Sequence, residues 1–121
     1  MADLEAPKRP EPDTEADAAE HRAWGARTNG RVWELLDLER TDEHDRELVD
    51  AAHASRWHWR RGGTAINEQR ADWLLSRVHA VLGDGNAALI HAEACWALTE
   101  ADDLKGFDLA YACEALYRAY A

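Results

Sequence analysis

Four side chains in the second half of the chain, His79, His91, Cys95 and Cys113, make up a soft nitrogen and sulfur donor set. His91 and Cys95 stand one helical turn apart and so project from one face. If the turn after them centres near Asp103, antiparallel pairing carries Cys113 opposite Glu93 to Cys95. His79, just ahead of the preceding turn, then approaches His91 from the other side. Such a set suits Zn or Cu(I). Its spacing matches no established ligand signature, and cysteine is among the residues most often buried. The competing reading is therefore small thiols packed in a core beside a hydrogen-bonded histidine, with no cofactor at all.

A second group mixes His53, His58, Asn67, Trp73 and Glu114. His53 borders an apolar stripe and His58 points elsewhere, about 140° round the helix. Across the following turn His58 is expected to meet Asn67 or Glu68, and His53 to meet Trp73. Glu114 interrupts an apolar surface formed by Ala110, Tyr111 and Tyr117. Polar groups on apolar faces need partners, so these five are either structural hydrogen bonds or the lining of a small-molecule or acid–base pocket.

The elements that must position these residues read as helices throughout, since no segment shows the two-residue alternation of a strand. Residues 71–82 and 86–98 form the central pair, with Trp73, Leu74, Leu75, Val78 and Val81 on one arm and Ala88, Leu89, Ala92, Cys95 and Trp96 on the other. Gly83-Asp84-Gly85 joins them, with Asp84 as cap. Upstream, Thr41 starts a helix that runs to about Arg61, where two arginines and Gly62-Gly63 stop it. Thr64 caps the next, and Phe107 to Tyr120 makes the last. A first helix carries Val32, Trp33, Leu35 and Leu36; Asn29-Gly30 interrupts its pattern, so a proper start is expected only at Arg31. The expected fold is all-α, about five helices in an antiparallel hairpin array, as a single domain over residues 21–121.

Residues 1–20 form a separate zone. All three prolines lie there, and seven acids against Lys8 and Arg9 give a net charge of −5, half the −10 of the 121-residue chain. That composition predicts a disordered acidic arm. The overall negative charge argues against nucleic acid and anionic membrane surfaces as partners. No apolar run reaches the ~20 residues of a membrane-spanning helix, and the opening residues are not a signal peptide, so a cytoplasmic location with reduced thiols is expected. Six tryptophans against one phenylalanine supply either heavy packing anchors or the lining of a groove. Trp57 and Trp59 face nearly opposite ways, so one of them must be covered by another element or another copy.

The central hairpin resembles a tetratricopeptide repeat. Leu75, Ser76 and His79 occupy the large, small and aromatic positions of that family's first arm, Leu82-Gly83-Asp84 its turn, and Ala88, Ala92 and Cys95 its second arm. Leu109, Ala110 and Cys113 look like the first arm of a further unit. His79 replaces the usual aromatic, and no closing proline follows Leu98. From Ala51 to Ala121 the chain also resembles small bacterial proteins with such helices, through Ala52-His53-Ala54-Ser55, His58-Trp59, Gly63-Thr64, the run from Trp73 to Val78, and Asp108-Leu109-Ala110. The resemblance implies a non-catalytic scaffold that binds a protein partner. Such stacks need about three units, so a bare last helix implies completion by a second copy through Trp57, Leu116 and Tyr120. The alternative is a small metal- or ligand-binding protein, conceivably an enzyme, built on the His, Cys and Glu groups. No phosphate-cradling glycine loop, nucleophile elbow or His-Glu-x-x-His pattern occurs, so no reaction is named by motif.

Overall fold

Threonine and aspartate caps set three of the helix starts where local chemistry places them. The structure, a computed structural model, describes residues 14–120. Among these it has five helices and no strand: α1 (Glu15–Leu36), α2 (Asp42–Gly62), α3 (Ala65–Val81), α4 (Gly85–Ala101) and α5 (Phe107–Tyr120). Thr41 and His44 form a reciprocal capping box at α2, Asn67 Oδ1 accepts from the Thr64 amide at α3, and Asp84 accepts from the Ala87 amide at α4. Each satisfies amides that a helix start leaves without a partner. Gly83 turns the chain with φ of +82°, a conformation that costs glycine little.

The helices pack in sequence, α1 on α2, α2 on α3, α3 on α4 and α4 on α5, and α3 also touches α5. α3 is thus the central element. Its Leu74, Leu75 and Val78 join Val32 and Leu35 of α1 and Leu48, Ala51 and Ala52 of α2 in the buried core. No described helix is long and apolar enough to cross a membrane.

Two expectations are corrected in α1. The acidic arm does not extend to residue 20, because Thr14 caps a helix that starts at Glu15; residues 1–13 lie outside the described residues. Asn29-Gly30 does not break the helix either. Tertiary contact overrides the local signal: Arg22 bonds both Glu15 and the Gly62 carbonyl, and Ser55 Oγ donates to the Gly25 carbonyl. Gly25 lies so close to α2 that an added Cβ would sit 2.8 Å from the Trp59 ring. Trp59 is therefore covered by α1, whereas Trp57 stays 49% exposed with the Arg61 guanidinium 3.4 Å above its ring.

Candidate metal centre

A ladder of polar pairs joins α2 to α3. Arg60 Nε meets Glu68 at 3.0 Å, and one turn back along α2 Arg56 Nε donates to Asp72 at 2.8 Å. Both carboxylates are nearly buried, Asp72 to 1% exposure. Farther along the same seam, one turn on along α2 and two along α3, is His53 against His79, with Nε2 atoms 3.4 Å apart. α4 supplies a third imidazole. Ser76 Oγ donates to the Ala88 carbonyl at 2.8 Å, and two such small residues let α3 and α4 approach closely. That approach lays the His91 ring flat against His79, centroids 5.4 Å apart and planes 7° apart, and 5.5 Å from His53.

Ligand atoms of His53, His79 and His91 all lie within 4.8 Å of one another, the one such trio of His, Cys, Asp or Glu among the described residues. The 3.4 Å separation of His53 and His79 matches the edge of a tetrahedron around zinc, about 3.3 Å for Zn–N bonds of ~2.0–2.1 Å. Asp72 Oδ1 stands 3.6 Å from His91 Nδ1, so Nε2 is the His91 nitrogen left for a ligand. A carboxylate behind a ligating histidine fixes its tautomer and raises its basicity. Asp72 Oδ2 is buried without a hydrogen-bond partner among the described residues, which leaves capacity to move onto Nδ1–H. Burial pushes His53 and His79 below the ordinary histidine value, and the neighbouring imidazoles push the same way. Both are neutral at pH 7, the form that binds metal. His53 is exposed while His79 and His91 are half-buried, so the trio opens to solvent on one side.

The other expected ligands go elsewhere. Cys95 is fully buried, and burial raises its thiol to about 12; Thr99 Oγ1 donates to its carbonyl at 2.7 Å. Cys113 is exposed. Ala112 and Ala115 take the inward face of α5, and one residue of rotation, about 100°, turns the neighbouring thiol outward. Neither cysteine joins the histidines in a ligand trio.

The expected five-residue pocket is likewise divided. His58 does not meet Asn67 or Glu68: it faces α1, with Nδ1 2.9 Å from His21 Nδ1 and Trp24 stacked on its ring. The α3-facing positions of that turn belong to Arg56 and Arg60. Asn67 is used in the α3 cap. His53 meets His79 rather than Trp73. Trp73 and Glu114 do pair, indole Nε1 donating to the carboxylate at 2.8 Å, beside a cleft of about 270 Å³ lined by Trp33, Arg70, Trp73 and Tyr111 among others. Of the expected interface residues, Leu116 is half-buried and Tyr120 is exposed, its hydroxyl 3.3 Å from Glu93.

Asp72 and Arg56 belong to no ligand or catalytic pattern in the sequence. Their signal was available: Arg56 and Arg60 on one helix, Glu68 and Asp72 on the next, are complementary pairs at i, i+4 spacing, which specify the register that brings His53 to His79. Comparison with protein families, with characterised proteins and with solved structures finds no match to this chain.

Proposed function

We propose that this protein binds a divalent first-row transition metal, zinc foremost, through His53, His79 and His91, with Asp72 orienting His91. The observation that carries the reading is the convergence of three imidazoles from three helices, two of them at the edge length of a zinc tetrahedron. With no thiolate in the trio, imidazole chemistry favours Zn or Cu(II) over Cu(I). The fourth position opens to solvent and takes water or a donor from a partner. Elemental analysis and calorimetry on untagged protein should find one zinc per chain. His79→Ala should weaken binding at least 100-fold, and Cys95→Ser and Cys113→Ser should leave metal content unchanged. Binding that survives the loss of His79, or disappears with either thiol, overturns the assignment.

A second reading, the tetratricopeptide-like interaction module, rests on a different observation. α5 is the terminal helix, and it presents Phe107 at 81% and Tyr117 at 80% exposure, with Tyr120 beyond. Large aromatics on an outer face suit a bacterial protein partner or a second copy of the chain. Scattering mass at micromolar concentration tests self-association: a dimer that Tyr117→Ser with Phe107→Ser converts to monomer supports it, and a monomer throughout removes it.

A further inference from the structure

On the side of α3 away from the ladder, Arg70, Trp73 and Arg77 recur at i, i+3 and i+7, so one face offers an indole between two guanidinium groups. Trp33 of α1 stands on one side of it, ring centroid 6.1 Å from that of Trp73, and Tyr111 of α5 on the other, at 5.1 Å. Between them lies the cleft of about 270 Å³. An apolar cavity of ~150 Å³ holds a benzene ring, so this one has room for a single or fused aromatic ring with a short substituent.

Arg70 lines the cleft itself, whereas Arg77 and Arg118 lie against its tryptophan walls, and the three charges differ in availability. Arg70 is occupied by Asp108 at 2.9 Å, and Arg118 by Glu114 at 2.6 Å. Arg77 has neither ion pair nor hydrogen bond among the described residues; it is held by the Trp33 and Trp73 rings, 5.8 and 6.0 Å from their centroids. Its Nε is buried without a partner. In a chain of net charge −10, a guanidinium without an ion pair among the described residues and set on two indoles can receive an external anion. The Trp33 indole N–H and the Asn29 amide, both at the cleft, also make no hydrogen bond among the described residues, which supplies donors to a polar ring edge.

We infer that this cleft binds a small planar aromatic acid, its ring against Trp33, Trp73 and Tyr111 and its carboxylate on Arg77. Flat rings stack on the exposed aromatic faces, and the carboxylate takes the guanidinium that the fold leaves open. The site is separate from the histidine trio and needs no metal.

The test is a titration of the ¹⁵N-labelled, metal-free chain with 3-phenylpropanoate and 1-naphthoate, each beside its uncharged amide. The indole N–H signals of Trp33 and Trp73 should shift with the acids while that of Trp96, on α4, stays still. The acids should bind at least fivefold more tightly than the amides. Arg77→Gln should erase that preference and leave amide binding unchanged; Trp33→Leu should weaken acid and amide alike. Equal binding of acid and amide by the wild-type chain, or shifts confined to tryptophans outside the cleft, overturns the inference, and both comparisons stand even if a variant fails to fold.

Discussion

The two sides of α3 solve opposite problems with the same tools. On one side Asp72 and His79 meet Arg56, His53 and His91, and opposite charges or mutually pairing rings bring each of these side chains to a polar neighbour. On the other, Trp73 and Arg77 meet Trp33 and Tyr111, and the cation is stacked rather than paired. The first side concentrates neutral nitrogen lone pairs, which attract a cation. The second concentrates ring faces and an open guanidinium, which attract an aromatic anion. Eight residues of one helix, at about 100° per residue, are enough to present both.

The comparison breaks most visibly at Asp72. Asp72→Ala leaves Arg56 without its buried acceptor, and losing one partner of a buried pair costs ~3–5 kcal/mol; the access of Arg56 to water and to Glu68 reduces this to ~2–3 kcal/mol. Chemical denaturation should read that loss. Asp72→Asn keeps the shape and a hydrogen bond, and should cost less stability but ~10–100-fold in zinc affinity, the range for a ligand's supporting carboxylate. The aromatic cleft should be indifferent to Asp72→Asn. An Asp72→Asn chain that binds zinc as tightly as wild type detaches the carboxylate from the metal reading.

Protonation gives a smaller, graded effect. His53, His58 and His79 are held below the ordinary value of 6.5, first by burial and then by neighbouring cations and imidazoles, against opposing Asp50, Glu20 and Asp84 respectively. A folded-state pKa below the unfolded one means that below 6.5 the unfolded chain binds more protons. Stability from these groups is therefore complete above about pH 6.5 and falls as pH drops toward their folded values. Metal-free protein should melt at a lower temperature at about pH 5.5 than at about pH 7.5. His58→Gln, remote from the trio, should flatten part of that slope. A melting temperature equal at the two pH values would contradict the lowered values of these three histidines.

What could be read in advance follows from the range of the interactions. Caps at Thr41, Thr64 and Asp84 and the stop at Gly62-Gly63 act within four residues, and they stand where the chain itself signals them. The nearness of His79 and His91 follows from a tight hairpin. His53 was grouped with His58 because the rotation of α2 against α3 is set by the Arg56–Asp72 and Arg60–Glu68 pairs, which a stripe of apolar residues does not reveal. Cys113 was aimed inward by an error of one residue, since Ala112 holds that position. The start of α1 was missed because acidic and proline-rich composition outweighed one threonine cap, and because contacts of α1 with Gly62 and Trp59 are remote in sequence.

The finest test concerns α1, whose Trp33 forms a wall of the cleft and which contributes nothing to the histidine trio. Gly30 is helical and exposed, and a Cβ built there meets no atom within 4 Å. Glycine inside a helix costs ~0.5–1 kcal/mol relative to alanine, mostly through the freedom it gives the unfolded chain. Gly30→Ala should therefore stabilise the protein by about that amount. Gly25→Ala is the matched control: the same chemistry at a buried position places a Cβ 2.8 Å from the Trp59 ring, so helix propensity is outweighed by the clash and the sign reverses. A steadier α1 holds Trp33 in place more of the time, so Gly30→Ala should also bind the aromatic acid no less tightly while zinc affinity stays constant. Opposite signs at Gly25 and Gly30, with the metal side unmoved by Gly30→Ala, would establish that the two faces of α3 are served by different parts of the chain; a change in zinc affinity on Gly30→Ala would show them to be coupled.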